Sequence, residues 1–81
     1  MDKRLGFVGI IVENRKQSAQ KVNDILSEYG EIIVARTGIP YHSREVCVIT
    51  LVVDASTDII GALTGKLGAL DGVSVKSGVS R

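Results

Sequence analysis

His42 and Cys47 are the chain's only imidazole and only thiol, and they stand close together in sequence. Both residue types bind transition metals, but two ligands do not complete a tetrahedral site. A symmetric assembly would supply two more and make a His2Cys2 centre between subunits. The plainer reading pairs an exposed loop histidine with a buried strand cysteine, because cysteine is among the most often buried residues. The plainer reading is preferred, with the metal site as the alternative.

The run Gly61-Ala62-Leu63-Thr64-Gly65-Lys66-Leu67 has the outline of a phosphate-binding loop. It lacks one residue between the glycines, and Leu67 stands where Ser or Thr should hold magnesium. Gly61, Gly65 and Gly68 instead recur at helical spacing, opposite Leu63, Leu67 and Leu70. Each glycine costs a helix about 1 kcal/mol relative to alanine. An outward glycine stripe lets a ligand or another backbone come close. Alternatively the helix is weak, or breaks near Gly65. Arg36, with Arg44 and Lys66, carries the charge to meet an anion, since guanidinium matches carboxylate and phosphate geometry. A solvated edge charge is the simpler account of Arg36. Glu13-Asn14-Arg15 sits where domains of the expected shape often bind ligands, an argument from fold alone. The candidate ligand-binding residues are therefore Arg36, Gly38, Pro40 and Tyr41, together with Gly61, Thr64, Gly65 and Lys66. No nucleophile, base and acid come together, so the expectation is a protein that is not an enzyme and needs no cofactor.

These residues depend on a short series of elements. Leu5–Val12 reads as a strand. Asn14, with Gln17 after it, resembles a helix-capping box. Ala19, Val22, Ile25, Leu26 and Tyr29 then recur at helical spacing, and Gly30 is placed to end the helix. Ile32–Thr37 predicts a short second strand, and Gly38–Glu45 a loop. Val46–Val53 is dense in β-branched residues and predicts a third strand. Ser56-Thr57-Asp58 caps a second helix whose apolar face is Ile60, Leu63, Leu67 and Leu70. Asp71-Gly72 is a turn signal, and Val73–Lys76 alternates like a half-buried edge strand. The order βαββαβ is that of the ferredoxin-like α+β sandwich, with four antiparallel strands and both helices on one face. All 81 residues form one domain in this reading.

The strands are apolar on both faces. Leu5, Phe7 and Ile11 alternate with Val8, Ile10 and Val12. Cys47, Ile49, Leu51 and Val53 alternate with Val46, Val48 and Val52. Ile33 and Ala35 would share one side of the second strand, Ile32 and Val34 the other. Two helices cover one face only, and a large apolar patch on the other marks an interface. A domain of this length buries only about 60% of its unfolded surface, so association would also stabilise it. The expectation is a homo-oligomer, a dimer or tetramer, joined through the open sheet face.

Other functions are disfavoured by composition. Ten basic and nine acidic side chains are scattered without a block of like charge, and there is no Trp and one Phe. Clustered Lys and Arg, the footprint of nucleic-acid binding, are missing. Direct nucleic-acid binding is therefore not expected. No apolar run reaches the roughly 18 residues of a membrane span, and the start lacks a signal-peptide cleavage site. The lone cysteine fits a reducing compartment. A cytoplasmic protein that contacts no membrane is expected.

Arg36-Thr37-Gly38-Ile39-Pro40, the block Asp58–Gly68 and Gly72-Val73-Ser74-Val75-Lys76 together give the chain a family likeness. Over nearly its full length it resembles the iron-only hydrogenase system regulators. The resemblance implies a ferredoxin-like domain akin to amino-acid-binding ACT domains and to the nickel-sensing half of the nickel-responsive repressor. Those relatives take small effectors or metal at subunit interfaces. It implies an ACT-like regulatory domain, sensing a small molecule and tied to [FeFe]-hydrogenase maturation, or else an assembly partner of the maturation enzymes.

Overall fold

The structure is a computed structural model and describes residues 2–13 and 16–80. Strand β1 (Arg4–Glu13) leads to helix α1 (Lys16–Glu28). A one-turn 3-10 helix, Gly30–Ile32, turns the chain into β2 (Ile33–Tyr41). A second such turn, His42–Arg44, connects to β3 (Val46–Ala55), followed by α2 (Thr57–Gly68) and β4 (Val73–Val79). The sheet has the order β2-β3-β1-β4, with every neighbouring pair antiparallel. The fold is the expected ferredoxin-like α+β sandwich. Among the described residues, no helix is long and apolar enough to cross a membrane.

The core forms where the helices meet one face of the sheet. Val8, Ile10 and Val12 of β1 and Ile49, Leu51 and Val53 of β3 are buried against Val22 and Leu26 of α1 and Ile60, Leu63 and Leu67 of α2. These are the alternate strand positions and the i, i+3, i+4 helix positions that the pattern assigns to one side. Ser18 rather than Ala19 faces the interior at the start of α1. Its hydroxyl is satisfied by donating to the Asp71 carbonyl at 2.9 Å. Ser56 caps α2, accepting a hydrogen bond from the Ile59 amide at 3.3 Å. This confirms the capping cluster. The proposed cap at Asn14 lies outside the described residues. Helix α2 runs unbroken past Gly65.

Strand β2 departs from expectation in two ways. It continues through Gly38, Ile39 and Pro40 to Tyr41, so most of the expected loop is strand. Gly38 and Pro40 are weak strand formers, but β2 is an edge strand, where a proline is tolerated. Pairing with β3 from Thr37↔Thr50 to Tyr41↔Val46 supplies the ladder. The second departure is a bulge at the start of the strand. Ile33 pairs with Val53 and Ala35 with Val52, leaving Val34 unopposed. An extra residue reverses the alternation beyond it. Ile33 and Ala35 therefore lie on opposite faces, not on the same one. Arg36, Gly38 and Pro40 turn to the helix side, level with Leu51, Ile49 and Cys47.

Candidate functional site

The bulge brings Arg36, Gly38 and Pro40 beside α1. Gly38 has no side chain and Pro40 a short one, so the β2 edge leaves space under the helix. The result is a groove of about 260 Å³. Its walls are Val12 of β1, Ala19 and Val22 of α1, Pro40 of β2 and Ile49 of β3. Cys47, half-buried, adds its thiol, and Asn23 and Arg36 contribute the other polar groups. A Cβ built on Gly38 meets nothing within 4 Å, so the space there is open. At the mouth, Arg36 Nη2 donates to Asn23 Oδ1 at 2.6 Å, joining the sheet edge to α1. The remaining guanidinium hydrogens and the Asn23 amide group are still donors. Chemically this is an apolar slot with a cation at its entrance.

The other candidates lie elsewhere. Tyr41 is opposite Val46, on the open face of the sheet rather than in the groove, and is about half exposed. Gly61, Gly65 and Gly68 lie on the outer side of α2, with nothing within 4 Å of a Cβ at any of them. The outward stripe is thus present, but it is on a different helix from the groove. The Thr64 hydroxyl donates to the Gly61 carbonyl at 3.2 Å, within its own helix. Lys66 bridges the helices, with Nζ 3.0 Å from Glu28 Oε2 and 5.2 Å from the Tyr29 ring centre. The Glu28 hydrogen bond, joined by Tyr29, holds the Lys66 pKa above its ordinary value. Arg36 of β2 and Lys66 of α2 are thus held by separate partners. His42 is exposed in the turn beyond β2, while Cys47 lines the groove. Among the described residues, no group of three or more His, Cys, Asp and Glu side chains gathers. Asn14 and Arg15 of the first strand–helix turn lie outside the described residues. Val12, Ala19, Val22, Asn23 and Ile49 line the groove without being marked as site residues by type or motif spacing. Ala19 and Asn23 stand on one side of α1, a turn apart, which was the available signal.

The second prominent feature is the uncovered face of the sheet. The register makes cross-strand rows on it: Ala35–Val52–Phe7–Gly78, then Thr37–Thr50–Gly9–Lys76, then Ile39–Val48–Ile11–Ser74, then Tyr41–Val46–Glu13. Leu5, Phe7, Ile11, Ile39 and Tyr41 are each about half exposed, and Val52 somewhat less. Two apolar rows flank a row of small and polar residues, so the face is ridged.

A ferredoxin-like α+β domain with one apolar sheet face uncovered is the class that fold and surface define. Residues 4–77 match the TM1266-like family, described as an iron-only hydrogenase system regulator, and the chain belongs to that family. The structure of the uncharacterized protein TM1266 from Thermotoga maritima is similar throughout. It has a TM-score of 0.97 and 38% identity, over 99% of this chain and 100% of that one. An unknown protein from Galdieria sulphuraria shares the fold alone, with a TM-score of 0.72 at 10% identity, over 99% of this chain and 46% of that one. No curated protein matches the chain.

Proposed function

We propose that this chain is a non-catalytic, cytoplasmic regulatory domain of the iron-only hydrogenase system. It acts as a homo-oligomer joined through its open sheet face and responds to a small molecule held beside α1. The observation that carries this reading is the uncovered sheet face, with Phe7, Ile11, Ile39 and Tyr41 half exposed in adjoining rows. Apolar patches of several hundred Å² on proteins of this size generally serve an interface. At about 25 cal/mol per Å², covering one contributes several kcal/mol, as much as the stability of a small domain. The family description supports regulation in place of catalysis.

Sedimentation and native mass spectrometry of the full chain test the reading. The expected result is a dimer or tetramer that Phe7→Lys with Ile11→Lys converts to folded monomer. Both positions point away from the core, so circular dichroism should be unchanged. A wild-type monomer would overturn self-assembly and favour the face as a dock for a maturation enzyme. An oligomer indifferent to both substitutions would move the interface elsewhere.

A further inference from the structure

We propose that the groove between α1, β2 and β3 takes a small apolar monocarboxylate, with the hydrocarbon part among Val12, Val22, Pro40 and Ile49 and the carboxylate on Arg36. The inference rests on the reading of this groove as a ligand site and adds the chemistry of the ligand.

Shape and charge both lead to that class. The groove, about 260 Å³, lies just below the usual range of about 300–1,000 Å³ for ligand sites, so its occupant must be small. Its inner walls are aliphatic, so the body of the ligand gains by leaving water and needs no polar group of its own. Polarity is confined to Asn23 and Arg36, joined across the mouth at 2.6 Å, and to the thiol of Cys47. No Asp or Glu is among the lining residues. The site therefore offers a cation and several N–H donors but no anion to receive an ammonium group. A carboxylate can accept from the guanidinium in the paired geometry that arginine favours. Asn23 already engages one Arg36 nitrogen beside the groove, which restrains the side chain and lowers the ordering cost of binding. An amino acid would bring its ammonium to a mouth that is already positive, and a neutral amide would forgo the ion pair.

The test is a titration of uniformly 15N-labelled full-length protein with 4-methylpentanoate, 4-methylpentanamide and leucine in parallel, followed by amide chemical shifts. The expected result is saturable movement at Ala19, Val22, Asn23, Gly38, Cys47 and Ile49 with the carboxylate. Binding should weaken by roughly tenfold or more with the amide, with leucine, or with the carboxylate on Arg36→Gln, the loss of one charge-assisted contact. Gly38→Leu fills the groove where a side chain meets nothing, and it should abolish the shifts while the remaining spectrum stays native. Equal affinity for acid and amide, or a preference for leucine, would overturn the ligand class while leaving the groove a ligand site. No movement with any of the three would overturn both the class and the site. Self-association is read separately by sedimentation, so the assembly reading stands or falls on its own result.

Discussion

Phe7 lies across Gly78 of the neighbouring strand: a Cβ on Gly78 would stand 2.5 Å from Cζ and 2.8 Å from Cε1 of the ring. The two residues are register partners in the β1–β4 pair. Glycine at this position lets the aromatic side chain lie down on the open face. Gly78→Ala would raise the ring, and because its far end can swing clear, stability should change by less than about 1 kcal/mol, within the range of strand preferences. Assembly should weaken far more, since the ring is central to the apolar face. Sedimentation checks the assembly, and loss of the ring-current shift at the residue 78 α-proton checks the displacement. Undiminished assembly with the ring displaced would remove Phe7 from the interface.

Gly72 ends the turn between α2 and β4 with φ at 74°, and its carbonyl accepts from the Glu13 amide at 2.8 Å. An alanine there would take a left-handed conformation that costs about 1–2 kcal/mol. Its Cβ would also meet Glu13 Oε2 at 2.9 Å. Gly72→Ala should lower the urea midpoint accordingly, with Gly72→Asn milder. An unchanged midpoint for the alanine variant would contradict the turn geometry.

Gly65 faces outward from the middle of α2. If the stripe has no role in assembly, Gly65→Ala should stabilise the domain by up to about 1 kcal/mol through helix propensity. Gly65→Leu should leave the oligomer intact. Dissociation of the leucine variant would instead place α2 in an interface, through close approach of another backbone.

Lys66 has its pKa raised above 10.5 by the hydrogen bond to Glu28, with Tyr29 adding to the effect. A cation favoured in the folded state contributes stability that is complete below pH 10.5 and is lost as pH rises through the higher folded value. The pair is exposed, so the effect is small and screened by salt. Thermal melts of the wild type and Lys66→Met should converge as pH climbs above 10.5 in low salt. A constant gap across that window would show that Glu28 and Lys66 are not coupled in solution.

Much of this architecture was legible in the order of residues. Alternation in β1 and β3 assigned Val8, Ile10, Val12, Ile49, Leu51 and Val53 to one face, because a strand places successive side chains on opposite sides. The same alternation put Phe7 and Ile11 on the uncovered face. Helical spacing placed Leu63 and Leu67 inward and the glycines outward, and Ser56 marked the start of α2 through its side-chain chemistry. The fold class followed from the order of elements alone.

The groove needed the third dimension. Gly38 and Pro40 read as loop because their strand preferences are poor, and only the ladder offered by β3 holds them extended. The bulge at Val34 carries no local signature. It arises from the pairing of Ile33 with Val53 and of Ala35 with Val52. That one unopposed residue sends Arg36, Gly38 and Pro40 under α1 and sends Tyr41 to the far side of the sheet. Residue order alone set which side-chain types were available and which faces were apolar. Tertiary pairing decided which of them meet, because cross-strand register is set by contacts between distant segments and one extra residue inverts it.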